Sequence, residues 1–403
     1  MSRPEGVPYD AQEQDGFWLI TVLCTGAAFA QVLIPGIQAA TGPQANQSPV
    51  AYVYVNGSHD NKVKIYGFSA NSKGGLSRIP GSPFTGFADV GYWAANNGYL
   101  FGTDATTDAT YIYSYSVSSI GVPRKVAKIK AAGEYAGVSG LFLDRTAHDL
   151  YDYDEDFGSN NYYQSFRIDS STGRLAYLGA YNVGYDSGPG GKMTFAGDNL
   201  YAYAAYNFCY FSCSWGILGA RRNSKGKLTA ANQAGGYPPT PKDGDSYLAV
   251  YTGADPTDHV AIAVQPVNQF GNDGLPQLAT YTVGSDGSLT TESAYWNMPT
   301  TANQGVYDME SSPSGELLAV AGTSGLEVFH FNAGNPITPY TGLLTNEEIE
   351  WCLWDNDNHL YAISSKSSKL FVFTVTPTSH HQAPGSPHLI NQAAAQVIVL
   401  PLM

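Results

Sequence analysis

Residues 50–84, VAYVYVNGSHDNKVKIYGFSANSKGGLSRIPGSPF, form a unit that recurs along the chain, and the recurrence limits the fold more than any other feature. The unit reads as three strands, at residues 50–55, 62–70 and 76–84. The first two alternate and are rich in Val, Tyr, Ile and Phe, as half-buried strands are. A polar link of hairpin length, residues 56–61, joins them. The next link, Asn71-Ser72-Lys73-Gly74-Gly75, supplies glycine where a tight turn requires positive φ. Three strands without an intervening helix make a meander, and a lone meander cannot bury both of its faces. It needs neighbours of its own kind.

The chain supplies them. Analogues of the third strand of a four-stranded sheet recur at residues 111–117, 162–168, 214–220, 278–283, 326–331 and 370–375. Counted from Phe68, their last apolar positions lie about 44 to 52 residues apart, with one step of about 63, the period of a propeller blade. The turns that follow repeat as well, in Ser170-Ser171-Thr172-Gly173, Asn223-Ser224-Lys225-Gly226 and Ser285-Asp286-Gly287. From the second unit on, an extra strand precedes the first (residues 90–95, 306–311 and 349–354). The first unit lacks it, and residues 395–402, AQVIVLPL, offer a candidate. The spacing therefore predicts an all-β, seven-bladed β-propeller with four-stranded blades. Its ring closes by pairing the C-terminal strand with the first N-terminal strands, which removes an open edge.

The propeller is expected over residues 50–403. Residues 31–49, with Pro35, Gly36, Gly42 and Pro43, read as a linker. Residues 1–30 contain the apolar run FWLITVLCTGAAFA, short for a bilayer span and ending on Ala28-Phe29-Ala30, and so read as a signal peptide or N-terminal apolar segment. Glu5, Asp10, Glu13 and Asp15 outweigh Arg3 before that run, which is unlike a signal peptide. The expected address is periplasmic, secreted or cell-surface, as a monomer without an integral membrane span in the mature chain. Charged residues are 13% of the chain, Gly 44 and Tyr 29, a mix suited to exported β proteins. No cluster of Lys and Arg stands out, and the net charge of −14 opposes nucleic acid and anionic membranes as partners. Cys209 and Cys213 are placed to close a small loop in an oxidising compartment, whereas Cys352, between Trp351 and Trp354, reads as a small buried hydrophobe.

Three segments carry a family resemblance: Tyr52-Val53-Tyr54-Val55-Asn56, Ile65-Tyr66-Gly67-Phe68 and Pro80-Gly81-Ser82-Pro83-Phe84, the last repeated as Pro384-Gly385-Ser386-Pro387. The chain resembles the seven-bladed lactonase-like propellers, which include 6-phosphogluconolactonase and YVTN-repeat surface proteins. The resemblance implies that fold and, for the enzymes, lactone hydrolysis by His with carboxylate or Arg groups around the axis. A His would open an inner strand. Here the inner strands open on Asp89-Val90-Gly91, Gly137-Val138-Ser139, Gly190-Gly191-Lys192, Ser246-Tyr247-Leu248, Gly305-Val306-Tyr307 and Glu348-Ile349-Glu350. None begins with His.

Loops from second to third strands, and from each outer strand to the next inner one, share one face of a propeller, its mouth. His59 and Asp104 fall there as catalytic candidates, since a general base must reach the substrate. Asp60, Asp104 and Glu155, with the aromatic residues Tyr92, Trp93 and Trp351, are the candidate ligand contacts; rings beside carboxylates suit sugars or peptides. The same rings also suit blade-to-blade packing. Asp152, Asp154 and Asp156 alternate along an extended segment, as oxygens gathered for a hard cation would, so calcium is the one cofactor considered. Phe157 occupies the glycine position of an EF-hand loop and Tyr163 that of its glutamate, and a solvated acidic strand end explains the run equally. No nucleophile elbow, zinc or phosphate-loop motif occurs. The expected function is an exported lactonase-like module binding carbohydrate, peptide or cell-envelope partners at the propeller mouth. The alternative is a lactone hydrolase with a rearranged site.

Overall fold

The structure is a computed structural model and describes residues 48–59, 62–87, 92–106, 109–131, 140–154, 161–184, 191–209, 213–231, 239–268, 271–272, 274–390 and 393–402. The unit Asn46–Met403 is a seven-bladed propeller whose blades are antiparallel sheets built on four strands. Among the described residues there is no helix, hence none long and apolar enough to cross a membrane.

Blade 1 joins the two ends of the propeller. Its inner strand, Ala393–Pro401, pairs with Ala51–His59, which pairs with Lys62–Ala70 and then Leu76–Arg78. Blades 2 to 7 follow in chain order, with inner strands Trp93–Asn96, Gly140–Leu143, Thr194–Phe195, Ser246–Ala254, Val306–Ser311 and Trp351–Trp354. The closure expected from the sequence is thus present. The predicted third strand of the first unit, residues 76–84, is shorter: it stops at Arg78, and only Phe84 returns to pair with Ile65. Pro80 and Gly81 turn the chain out, and the Gly67 N–H left facing the gap donates to Ser82 Oγ at 2.9 Å. The same substitution of a hydroxyl for a ladder carbonyl recurs at Thr280 N–H to Ser293, Val328 N–H to Thr341 and Val372 N–H to Ser386. Each covers a backbone donor that would otherwise lose its hydrogen bond.

Strand alternation decides which neighbour each side chain meets. In the closing strand Val397 and Val399 pack toward blade 7, while Ile398 and Leu400 pack toward blade 2. Likewise Val53 and Val55 face Tyr361 and Ile363, and Tyr52 and Tyr54 face Trp93 and Tyr115. The described apolar residues fall into seven clusters, one at each seam between blades. Second-strand tyrosines fasten three of the seams. Tyr54, Tyr151 and Tyr203 each donate at 2.8 Å to the carbonyl of a turn glycine in the next blade, Gly121, Gly226 and Gly287. Those glycines hold φ of 82°, 88° and 84°, a region side chains avoid. At the seam of blades 3 and 4 buried Asp149 also accepts from Arg167 and Arg222.

Two outcomes test this arrangement. Four apolar residues of the closing strand, Val397 to Leu400, are at most 6% exposed. Burying them contributes roughly 6–12 kcal/mol, as much as a domain's whole net stability. Deleting residues 393–403 is therefore expected to abolish the cooperative melt in calorimetry. A Cβ on Gly226 would run into the Asp149 carboxylate. Gly226→Ala should lower stability by about 2–3 kcal/mol in urea unfolding, because clash and positive φ add.

Candidate functional site at the propeller axis

Among the described residues, three inner strands break register with their partners. The break lies between Ala249 and Tyr251 in blade 5, between Val306 and Asp308 in blade 6, and opposite Asn56 and Gly57 in the closing strand of blade 1. Each skips one residue (Val250, Tyr307 or Ala395) and re-aims the next side chain, as β-bulges do. The re-aimed residues are Tyr251, Asp308 and Gln396, all polar.

These side chains join inner strands that share no ladder. Gln396 Oε1 accepts the Trp93 N–H at 2.8 Å, and its Nε2 donates to the Trp93 carbonyl at 3.0 Å, tying blade 1 to blade 2. Asp308, fully buried, accepts from the Met309 N–H at 3.0 Å, from the Cys352 N–H of blade 7 at 2.9 Å and from the Tyr251 hydroxyl of blade 5. Burial pushes the Asp308 carboxyl above the usual range, against the pull of Lys192 and the three donors. Burial, then Asp308, hold the Tyr251 phenol well above 10 and the Cys352 thiol well above 9. Cys352 is free and buried, as the sequence suggested, and its raised pKa makes it an inert thiol.

Along the same inner strands, Lys192 at the entry to blade 4 pairs with Glu310 of blade 6, past the inner strand of blade 5. Both side chains keep about a fifth of their surface exposed, and Trp354 Nε1 donates to the Glu310 carbonyl at 3.0 Å. Toward the mouth the skipped Tyr307 is 40% exposed and donates to Glu348 Oε1 at 3.1 Å. Glu350 accepts the Ser365 N–H at 2.9 Å, and Glu347 meets Lys369 at 2.5 Å, a contact that heads the hydrogen bonds holding its carboxyl below the usual range. The connection from blade 5 to blade 6 is fixed by Glu327, 6% exposed, which accepts the Ala302 N–H at 2.7 Å. Asn303 in turn accepts the N–H groups of Ser324 and Gly325.

Of the residues singled out from the sequence, those that are described lie elsewhere, Trp351 excepted. Asp104 is half-buried in the second strand of blade 2, where its charge helps raise the Tyr113 phenol. Trp93 is 2% exposed and stacks on Tyr115 at 5.4 Å, so its ring is taken up by the seam. The Tyr92 N–H donates to Thr103 Oγ1, and Tyr92 packs at the seam of blades 2 and 3. Trp351 is partly buried against the seam of blades 7 and 1, one residue before Cys352. Asp152 is fully buried, with Leu141 and Gln164 as its strand partners. Asp60, Glu155 and Asp156, and the side chains of His59, Asp154, Cys209 and Cys213, lie outside the described residues. No group of three potential metal ligands occurs among the described residues. His259 and His359, on the turns opposite the mouth, bond to Asp255 at 3.0 Å and Asp355 at 2.7 Å and brace those turns.

Tyr251 and Asp308 escaped the sequence reading because alternation is assumed to run unbroken along a strand, and Lys192 and Glu310 because segments far apart in sequence meet only in the fold. The one signal was polar residues inside short inner strands.

Burial pushes the Glu327 carboxyl up to about 7, with the Ala302 and Asn303 hydrogen bonds opposing. Below pH 4.5 folded and unfolded chains are both protonated there. As pH rises through 7 the folded state loses up to about 3 kcal/mol relative to the unfolded one. Glu327→Gln should therefore raise the melting temperature at pH 8 and leave it nearly unchanged at pH 4.5, as thermal melts at the two pH values will read.

No family model matches the sequence, and no curated relative does. Among solved structures the chain is similar to a Lactobacillus plantarum protein, at 14% identity and TM-score 0.61 over 87% of this chain and 99% of that one. A candidate 6-phosphogluconolactonase from Bacteroides fragilis aligns at 13% and 0.61 over 89% and 100%. The periplasmic gluconolactonase of Pseudomonas aeruginosa aligns at 12% and 0.60 over 88% and 99%. At such identities the likeness is one of fold. The chain has the fold of the seven-bladed lactonase-like propellers.

Proposed function

We propose that this protein is an exported, monomeric binding propeller that takes a small hydroxyl-rich ligand, such as a sugar, at the axial mouth over blades 5 to 7. One observation carries the reading. Asp308 and Gln396 spend their hydrogen bonds holding inner strands together, whereas Tyr307, Glu348, Lys192 and Glu310 keep exposed surface beside them. Carboxylates accept from hydroxyls and the phenol does both, which is the chemistry that orients a sugar.

Hydrolysis of a sugar lactone is the second reading. The fold likeness to a gluconolactonase favours it, and Lys192 beside Glu310 supplies a cation for a carbonyl oxygen and a carboxylate to activate water.

Purified protein is to be titrated by calorimetry with neutral sugars and sugar lactones, with and without calcium, while lactone opening is followed in parallel. Binding without turnover is the expected result. Tyr307→Phe and Glu348→Gln should each weaken binding about tenfold, near 1.4 kcal/mol, with unchanged melting temperature. Turnover above the spontaneous rate that falls in Glu310→Gln would replace binding with hydrolysis. No binding of any sugar or lactone would remove both readings.

A further inference from the structure

The outer strand of blade 2, Pro123–Lys130, reads PRKVAKIK. It hydrogen-bonds on one side to Ala109–Val117 and ends the sheet, and among the described residues its other edge has no strand partner. Arg124, Lys125, Lys128 and Lys130 are all exposed. The whole chain has 20 Lys and Arg against 34 Asp and Glu, and four of those cations fall on this one edge. The stripe escaped the sequence reading because Val126, Ala127 and Ile129 interrupt it. Two of the cations are held in place. Lys125 Nζ lies 3.9 Å from the Tyr113 ring centre, and Lys128 Nζ lies 4.4 Å from that of Tyr111.

Beside the strand is a cleft of about 400 Å³ lined by Pro83, Phe84, Phe87, Tyr115, Pro123 and Lys125. Phe87 packs on Tyr115 at 4.8 Å and forms its aromatic wall. The skipped residue of the outer strand, Val126, is 40% exposed, and Ile120 in the preceding turn is 59% exposed. A cleft with an aromatic wall, an outer strand edge and a row of exposed cations therefore meet at one place on the rim.

We propose that this edge binds an extended acidic segment of a partner protein, which adds as a fifth strand to blade 2 and seats one aromatic side chain in the cleft. The backbone row supplies hydrogen bonds, the cleft supplies side-chain selection, and the cations supply charge complementarity. A nucleic acid or sulfated glycan would use the cations alone. Lysines on an edge also deter self-association of sheets, so the test separates protection from docking.

The probe is a fluorescein-labelled twelve-residue peptide rich in Asp and Glu with one central Phe, followed by anisotropy against the full chain at low and moderate salt. Saturable binding that weakens with salt is expected. Phe→Ser in the peptide should weaken it at least fivefold, and Lys125→Glu with Lys128→Glu at least tenfold, in protein whose melt shows it folded. Should that pair fail to fold, Arg124→Ser with Lys130→Ser, at exposed positions, takes its place and should weaken binding at least threefold. Absence of binding at low salt overturns the proposal, and so does unchanged binding in a folded double variant. Equal affinity for the Phe-free peptide, or for heparin or a single-stranded oligonucleotide, assigns the stripe to general anion attraction and also overturns it. The axial reading stands or falls independently, because its variants lie in blade 6 and at the entry to blade 7.

Discussion

Two-sided burial is the constraint on which the rest of this structure depends. Each blade carries apolar side chains on both faces, and neither face can be left to water. A stack of such sheets would always end in an exposed face. Only a closed ring gives every blade two neighbours, and the ring closes because Ala393–Pro401 completes the blade that Ala51–His59 begins. The seams then repeat one solution: an alternating strand offers its odd residues to one neighbour and its even residues to the other. At three seams a tyrosine hydroxyl on the second strand also locks onto a turn glycine of the next blade.

Closure places a demand on the middle of the ring. Inner strands end their sheets at the axis, so their outward backbone groups and the strands beside them lack ladder partners. Bulges in blades 5, 6 and 1 meet part of that demand by turning Tyr251, Asp308 and Gln396 toward neighbouring strands. A buried carboxylate costs free energy unless it is bonded, and Asp308 gathers three donors from three blades. The polar axis is thus first a structural device. The device leaves Lys192, Glu310, Tyr307 and Glu348 partly exposed, and the proposed ligand site rests on these groups.

The aromatic residues show how local chemistry can point two ways. Trp93 has the composition of a sugar-binding surface and the environment of a core, since Tyr115 covers its ring. Sequence spacing placed it near an inner strand, and only packing against the third strand of its own blade decided that its face is occupied. Glu327 is the converse. Nothing local distinguishes it from a solvated strand carboxylate, yet the chain connecting blades 5 and 6 folds over it and moves its ionisation toward neutrality.

The sequence by itself determined the blades, their number, the order of their strands and the closing strand, because period-2 alternation and glycine turns are local and recur at roughly one blade's length. It also determined that Cys352 is buried, and that no inner strand opens on the histidine expected of the related enzymes. Tertiary structure alone decided where the polar groups of the axis meet. Lys192 and Glu310 are more than a hundred residues apart, and they touch because the inner strands converge on the axis rather than because of any spacing between them. It also decided the bulges. A skipped residue leaves no mark in an alternating pattern until the partner strand fixes the register, and the side chains that follow each skip are those that stitch the centre of the ring.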